Sequence, residues 1–406
     1  IVFRSKGGVL REYMAFDGTS FKSPKAFGNV PNQNIHGLPQ AEMVIVAHPS
    51  LTGAAERLAQ FHRDYDGMTV HIVTPQQVYN EFSSGAQDVS AVRDMMKMFY
   101  DRASSPEEWP QYLLLFGDAS YDYKDRVPGN TNLVPTYESY ASTAMVNSFA
   151  SDDYFAFLNT SEGAWADGGN FTDHKMDIAV GRIPAQNMEQ ANIVVDKILR
   201  YHESATQGDW RNVLCFIADD EDSNDHFNQS DNLARHIKTD QPAFNVRKIY
   251  LDAYKQQDGI DTDAYPDVEA EITRQMEQGA LVFNYVGHGG EVGLTHEKVV
   301  KISGINSWSN TYKMPLFITA TCEFSRHDDP TRTSAGELVL LNPNGGAVAL
   351  FTTTRVAWID QNAIINRNII INNLFELQDG QPKTIGEAFM QAKNASGFAT
   401  GYRSFS

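Results

Sequence analysis

Short apolar runs alternate with amphipathic stretches from Glu42 onward, and this alternation predicts the fold. Brief apolar runs bounded by turn residues are typical of buried strands, and apolar positions spaced three and four apart are typical of helices that cover a sheet. The same order occurs twice, with strands predicted at residues 43–47, 69–73, 112–116, 213–218, 246–251 and 281–286, and helices near 51–65, 89–103, 229–239 and 266–278. We therefore predict an α/β fold of two subdomains with mostly parallel sheets.

The matching halves of this pattern suggest an internal duplication. The third strand of the first half is followed by Gly117 and Asp118, and the third strand of the second half by Gly287 and His288. Asp118 therefore takes the position in the first half that His288 takes in the second.

The boundaries between segments follow from changes in composition. We expect a β-rich N-terminal segment at residues 1–40, an α/β subdomain at 41–205 and a catalytic α/β subdomain at 206–406. Residues 121–172, rich in Asn, Asp, Gly and Tyr, are predicted to form an irregular surface excursion. A helix at 184–202, opened by Pro184, is predicted to bridge the two halves.

Composition excludes several classes of protein. The 406 residues include 51 acidic and 33 basic ones, and this acidity disfavours a nucleic-acid partner. No apolar run approaches the roughly 18 residues of a membrane span. The two cysteines, Cys215 and Cys322, rule out a disulfide framework but leave a single bridge open. The chain begins at Ile1 without an initiator Met or a signal peptide, so we expect a processed product or a piece of a longer protein.

His288 and Cys322 are the residues whose placement predicts chemistry. Each follows an apolar run closely, and they are 34 positions apart (322 minus 288), enough for a loop, a helix and a strand that would make their strands neighbours. An imidazole near a thiol can lower the pKa of the thiol and later protonate a leaving amine. Glycines surround the histidine, and the amides of Gly289 and Cys322 are candidates for an oxyanion hole.

Other interpretations of these residues stay open. Alone, His288 could be a hydrogen-bonded core histidine and Cys322 a small buried hydrophobe. Glu221, with Asp220 as second choice, is the candidate carboxylate that orients the imidazole, although their loop could also be a solvated turn or a calcium site. A zinc site is not expected. Zinc ligands commonly recur at short, regular sequence spacings, and no Cys or other His stands at such a spacing from His48, His226, His296 or His327.

The residues around the dyad resemble those of the gingipain-type cysteine peptidases, which are relatives of caspases. The resemblance rests on Gly287-His288-Gly289 after an Asn-Tyr strand end, and on Thr319-Ala320-Thr321-Cys322. The sequences of segments 322–326, 333–337 and 341–346 make the resemblance more specific: within this group they are most similar to the sortases of the type IX secretion system of Bacteroidota. The similarity covers residues 42 to 406 and is most specific around Cys322.

This resemblance implies roles for individual residues. His288 would be the general base and acid, Cys322 the nucleophile and Glu221 the carboxylate behind the histidine. Asp231 and Trp358 fall near the acid and the tryptophan of the arginine pocket of gingipains, so both are expected to bind substrate. Leu294 stands near a position where gingipains have Trp, which argues against an arginine-specific pocket.

The resemblance also implies a function. A sortase of this kind would cleave the C-terminal signal domain from secreted cargo and pass the cargo, through a thioester, to an amine of anionic lipopolysaccharide. It would act at the cell surface, associated with the outer membrane, with PorV, PorQ and PorZ. We expect no cofactor in catalysis and hypothesise a structural Ca²⁺ at one of the acidic clusters 152–153, 219–222 or 258–263. The alternatives are a secreted gingipain-like endopeptidase and a catalytically silent docking module.

Overall fold

A computed structural model provides the structure of the chain. It describes residues 4, 13–19, 21, 23, 26, 28–140, 144, 146–165, 174–258, 263–378, 380–397 and 400–406. The chain divides into two compact units, residues 1–34 and 35–406. None of the described residues of the first unit lies in a helix or a strand, so β structure in that segment stays a prediction.

The first sheet is parallel and has four strands in the order β2-β1-β3-β6. Its strands are β1 (Met43–Ala47), β2 (Val70–Val73), β3 (Tyr112–Phe116) and β6 (Ala179–Ile183). A small antiparallel hairpin of β4 (Tyr137–Glu138) and β5 (Ala150–Ser151) lies between β3 and β6 in the chain. The helices of this half are α1 (Thr52–Phe61), α2 (Pro75–Phe82), α3 (Val89–Asp101) and α4 (Met188–Tyr201).

The second sheet is also parallel and has five strands in the order β14-β13-β9-β7-β8. Its strands are β7 (Val213–Ala218), β8 (Asn245–Tyr250), β9 (Val282–Val286), β13 (Leu316–Ala320) and β14 (Ala349–Phe351). Short antiparallel strands β10 (Gly289–Gly290), β11 (Gly293–Leu294) and β12 (Val300–Lys301) follow β9, and β15 (Leu377–Gln378) pairs with β16 (Gln381–Pro382). The helices are α5 (Asp225–Asp240), α6 (Pro266–Gln278), α7 (Ile302–Ser307), α8 (Ala335–Leu341), α9 (Ile359–Ile370), α10 (Ile385–Ser396) and α11 (Thr400–Ser404).

Both sheets are covered by helices on both faces. Val44 and Leu115 pack with α3 on one face of the first sheet, and Ile45 packs with α1 and α4 on the other. In the second sheet, Phe283 packs with α6 and α8, and Val282 packs with α5, α9 and α10. This burial on both faces explains why the strands are continuous apolar runs. No helix among the described residues is long and apolar enough to span a membrane.

The two sheets repeat one arrangement. Strands β1, β2, β3 and β6 of the first correspond in order to β7, β8, β9 and β13 of the second. Gly117 after β3 has a φ of 153° and donates its amide to the carbonyl of Ile183, and Gly287 after β9 has a φ of 159° and donates to Ala320. Asp118 and His288 therefore occupy equivalent positions at the edges of the two sheets, as the sequence pattern predicted.

One prediction about a connecting segment was wrong, and a second had the wrong starting residue. The segment predicted as a surface excursion is in large part buried: Phe149, Tyr154, Phe157 and Trp165 belong to the core of the first sheet. Each of these aromatic side chains has a large apolar surface. Burying the four of them outweighs the preference of the neighbouring polar residues for water. The bridging helix α4 begins at Met188, four residues after Pro184, because the side chain of Asn187 caps it by accepting the amide of Gln190.

Candidate active site

His288 stands at the end of β9 on a turn that fixes its backbone. Its amide donates to Oδ2 of Asp219 at 2.8 Å, and its carbonyl accepts hydrogen bonds from the hydroxyl of Tyr285 and, at 2.8 Å, from the amide of Thr295. A Cβ on Gly287 would overlap Asp219 and Tyr285, so only glycine fits before the histidine. Burial raises the pKa of Asp219 to about 6.

The carboxylate nearest to the His288 ring belongs to Asp222. Its Oδ2 is 2.8 Å from Nε2 of His288, whereas Oε2 of Glu221 is 3.3 Å away. Glu221 hydrogen-bonds instead to Nδ1 of His296 at 2.9 Å. Asp220 accepts a hydrogen bond from Tyr265 at 2.6 Å. Glu221 is thus close to the histidine as expected, but Asp222 makes the hydrogen bond.

The loop that carries Asp222 has an uncommon backbone. Asp222, Ser223 and Asn224 have φ angles of 54°, 56° and 70°, three consecutive left-handed residues without a glycine. Asp and Asn tolerate this region best among residues with a Cβ, but a run of three costs conformational energy. Such local strain is common where a loop must hold a functional side chain in place. No pattern in the sequence marks this conformation.

Two further histidines flank His288. The ring of His296 stacks on it with centroids 4.9 Å apart, and the ring of His226 meets it edge-on at 5.2 Å. His226 is 3% exposed, and its Nε2 is 3.1 Å from Oδ2 of Asp222. Burial lowers the pKa of His226, and the hydrogen bond to Glu221 raises the pKa of His296. Sequence spacing gave no sign that these histidines lie together. The fold brings His226 to His288 from α5, and His296 from the loop between β11 and β12.

The nucleophile candidate Cys322 lies at the same sheet edge. Val286 of β9 pairs in register with Ala320 of β13, so His288 and Cys322 each stand two residues beyond a paired position on adjacent strands. Adjacent strands are about 4.8 Å apart. Both cysteines are free thiols, which excludes the single bridge left open by the sequence.

The thiol of Cys322 is held by a neighbouring loop. Sγ is 3.4 Å from both the amide nitrogen and the carbonyl oxygen of Ala357, and no hydrogen bond joins it to His288 among the described residues. Burial raises the pKa of this thiol, and the Ala357 amide partly opposes that effect. Formation of the thiolate therefore requires the imidazole to come within hydrogen-bond distance of Sγ. Catalytic hydrogen bonds are often long in enzymes without substrate and shorten when substrate binds.

Gly289 is well placed to donate its amide to a substrate. The amide of Thr295 donates to His288, so the opposed residues Gly289 and Leu294 form a pair without mutual hydrogen bonds. In such a pair the N–H groups point away from the partner strand. A Cβ on Gly289 would lie 2.5 Å from Oγ1 of Thr321, which shows how closely this turn approaches the segment of Cys322. The turn of Gly289 and the segment of Cys322, whose amides are the candidates for an oxyanion hole, therefore lie next to each other.

The two residues expected to bind substrate differ in their surroundings. Trp358 is 50% exposed and directly follows Ala357, the residue that contacts the thiol. Asp231, on α5, forms ion pairs with Lys248 at 2.5 Å and Arg235 at 2.9 Å. Its charge is already balanced by two cations, so it does not offer a free anion to an arginine side chain.

The acidic clusters considered for calcium are used in different ways. Asp152 pairs with Arg182 at 2.7 Å, and Asp153 pairs with Lys393 at 2.7 Å. Residues 259–262 of the third cluster lie outside the described residues. Oxygens of Asp219 and Asp220 lie within 4.8 Å of an oxygen of Glu297, which leaves the 219–222 cluster with the most suitable oxygens for the calcium hypothesis.

A buried ion pair supports the loops on both sides of Cys322. Arg355 is 1% exposed, and its guanidinium donates to both oxygens of Asp328, which is 0% exposed. The backbone carbonyl of Arg355 accepts the amide of Glu323 at 3.1 Å. Glu323 itself has a φ of 49°. The ion pair therefore ties the chain just before Ala357 to the chain just after Cys322.

Comparisons with known proteins agree with this arrangement. The model of peptidase family C25 matches residues 36–403. The structure of the Arg-specific cysteine proteinase gingipain R (RgpB) has a TM-score of 0.64 at 15% identity, covering 90% of this chain and 75% of that one. The complex of the RgpB pro- and mature domains from Porphyromonas gingivalis has a TM-score of 0.63 at 16% identity, covering 89% of this chain and 76% of that one.

One further solved structure has a higher sequence identity but aligns with a smaller part of the chain. Dimeric latent PorU from Porphyromonas gingivalis is 36% identical, covering 48% of this chain and 19% of that one, with a TM-score of 0.41. No curated protein matches the sequence. The predicted α/β fold with mostly parallel sheets and the predicted likeness to gingipains are confirmed.

Proposed function

The chain belongs to peptidase family C25, and from this membership we propose that it is a cysteine peptidase that works as a sortase. It would cleave the C-terminal signal domain from secreted cargo and transfer the cargo to an amine of anionic lipopolysaccharide. The observation that supports the catalytic part is the register of β9 and β13, because His288 and Cys322 each follow the paired residues Val286 and Ala320 by two positions on adjacent strands.

The chemistry proceeds through a thioester. His288 accepts the thiol proton, the sulfur of Cys322 bonds to the scissile carbonyl carbon, and the amides of Gly289 and Cys322 bind the oxyanion. When the peptide bond breaks, the imidazolium gives its proton to the leaving amine of the signal domain. An acceptor amine then attacks the thioester, loses a proton to His288 and releases the thiol. Water in place of the amine gives hydrolysis.

The surroundings of Asp231 argue against an arginine-specific pocket. Lys248 and Arg235 already neutralise this residue, which falls near the acid of the arginine pocket of gingipains. An arginine side chain entering there would meet two like charges, which disfavours binding. Leu294, which is fully buried, adds no aromatic wall for such a side chain.

The test is to incubate the protein with a cargo that carries its C-terminal signal domain, with and without a small primary amine, and to weigh the products by mass spectrometry. We expect cleavage that depends on Cys322 and a product whose mass includes the amine. Cys322→Ala should leave the cargo intact. Cys215→Ala is the matched control, because Cys215 lies in the middle of β7, away from the site.

Each other result points to a different function. Cleavage that yields only the free acid in the presence of the amine would indicate a gingipain-like endopeptidase. Cargo that binds but stays intact would indicate a docking module.

We further propose action at the cell surface, at the outer membrane, together with PorV, PorQ and PorZ. Co-purification of these three proteins with the chain from detergent-treated outer membranes would test this. The catalytic steps above need no cofactor. A structural calcium ion stays a hypothesis, and melting temperatures with and without a calcium chelator would test it.

A further inference from the structure

His226 is a residue of the site that the proposed chemistry does not use. It lies in the first turn of α5 and is 3% exposed, and its Nδ1 has no hydrogen-bond partner among the described residues. Its Nε2 and the Nε2 of His288 approach the same oxygen, Oδ2 of Asp222, at 3.1 Å and 2.8 Å. Two imidazole nitrogens and a carboxylate oxygen thus converge on one point.

We propose that Asp222, His226 and His288 form a binding site for Zn²⁺. Their ligand atoms all lie within 4.8 Å of one another. In a tetrahedral zinc site the metal lies about 2.0–2.2 Å from nitrogen and oxygen ligands, which places the ligands roughly 3.4 Å apart. The two imidazole–carboxylate separations of 3.1 Å and 2.8 Å would each need to widen, by about 0.3 Å and about 0.6 Å, to admit the ion.

The chemistry of the three ligands selects zinc over calcium or magnesium. Imidazole nitrogen suits zinc and its late first-row neighbours, whereas calcium and magnesium take oxygen ligands. Each imidazole would bind through the lone pair of Nε2, so the proton now shared with Asp222 would move to Nδ1 or to solvent. The fourth position faces solvent, because His288 and Asp222 are partly exposed.

A second set of ligands shares His288 but is less suited to hold the ion. Glu221, His288 and His296 also have ligand atoms within 4.8 Å of one another. The side chain of His296 is 67% exposed, whereas that of His226 is 4% exposed. Fixing an exposed side chain costs rotamer entropy that the buried His226 has already lost on folding. We therefore assign the site to His226.

Binding at this site would inhibit the peptidase. An imidazole that binds zinc through Nε2 carries its remaining proton on Nδ1 and cannot accept another proton from Cys322. This consequence rests on the proposed function, whereas the binding itself does not. Zinc would then act as a reversible inhibitor that is removed by a chelator.

Isothermal titration calorimetry with ZnCl₂ tests the site without requiring activity. We expect one saturable Zn²⁺ site in the unmodified chain, and binding roughly tenfold or more weaker in His226→Gln. His236→Ala is the control, because His236 lies on the same helix, paired with Asp240. An excess of CaCl₂ in the cell should leave the titration unchanged. Circular dichroism of His226→Gln checks that the variant is folded.

Two results would overturn the assignment. One is equal zinc affinity in the unmodified chain and in folded His226→Gln. The other is loss of binding in His296→Ala but not in His226→Gln, which would move the site to the second set. The sortase assay run with ZnCl₂ and then with chelator separates the two proposals: binding without peptidase activity in either condition leaves the zinc site standing and refutes the proposed function.

Discussion

Replacing Asp222 should damage catalysis more than replacing Glu221. The hydrogen bond from His288 to Asp222 is 2.8 Å long, and that carboxylate stabilises the imidazolium that forms when the thiol is deprotonated. A hydrogen bond to a charged group contributes about 1.5–3 kcal/mol. Its loss should lower kcat/KM roughly 10- to 150-fold, since about 1.4 kcal/mol corresponds to a factor of ten.

The replacement Asp222→Asn suits this test because it leaves the loop intact. Asn tolerates the left-handed conformation with φ of 54° that the residue adopts, and it has the same shape as Asp. Glu221→Gln should cost less than about fivefold, because Glu221 lies 3.3 Å from the ring, makes its hydrogen bond to His296 and is partly exposed. Asp220→Asn, whose carboxylate accepts from Tyr265, serves as the control.

The assay is the initial rate of cargo cleavage at a substrate concentration below KM, measured for the three variants and the unmodified chain. A greater loss in Glu221→Gln than in Asp222→Asn would refute the reasoning. It would mean that the carboxylate favoured by family resemblance, and not the nearer one, orients His288 when substrate is bound.

Three further predictions concern stability. Burial raises the pKa of Asp118 from 3.8 to about 7, so the folded chain holds a proton there that the unfolded chain releases, and stability falls as pH rises through this window. In urea unfolding, Asp118→Asn should therefore be more stable than the unmodified chain at about pH 8, by up to about 4 kcal/mol, and little different at about pH 4. Arg355→Met should cost about 3–5 kcal/mol in the same measurement, because it leaves the buried Asp328 carboxylate unpaired, and an unchanged midpoint would contradict this account of the ion pair. Gly346→Ala should lower the melting temperature by several degrees, since Gly346 has a φ of 78° and a Cβ would overlap the carbonyl oxygen of Val339; a melting temperature equal to that of the unmodified chain would show that the turn can shift.

The central part of the fold could be predicted from apolar runs. Strands β1, β3 and β7 have the predicted bounds, because buried parallel strands are continuous apolar segments. Strand β6 was missed, since its sequence Ala179–Ile183 includes Gly181 and Arg182. Arg182 is accommodated there because Asp152 pairs with it and backbone carbonyls, including that of Val134, accept from its guanidinium, and these contacts are tertiary.

The candidate site could be predicted only in part. His288 and Cys322 are marked by their strand ends and glycines, which are local features. Asp222 was passed over for its neighbours, because a left-handed run turns its carboxylate toward the ring and no residue pattern announces such a run. His226 and His296 reach the site from different elements, so their proximity depends on the packing of α5 and of the loop between β11 and β12.

The equivalent glycine turns after β3 and β9 provide an internal control for measurements of ligand binding. Gly117 and Gly287 have nearly the same φ and donate their amides to equivalent strands, yet one turn presents a buried carboxylate and the other the imidazole. Hydrogen exchange at these two amides can therefore be compared within a single sample. A ligand that slows exchange at Gly287 but not at Gly117 stabilises the candidate active site locally. A ligand that slows exchange at both amides stabilises both sheets.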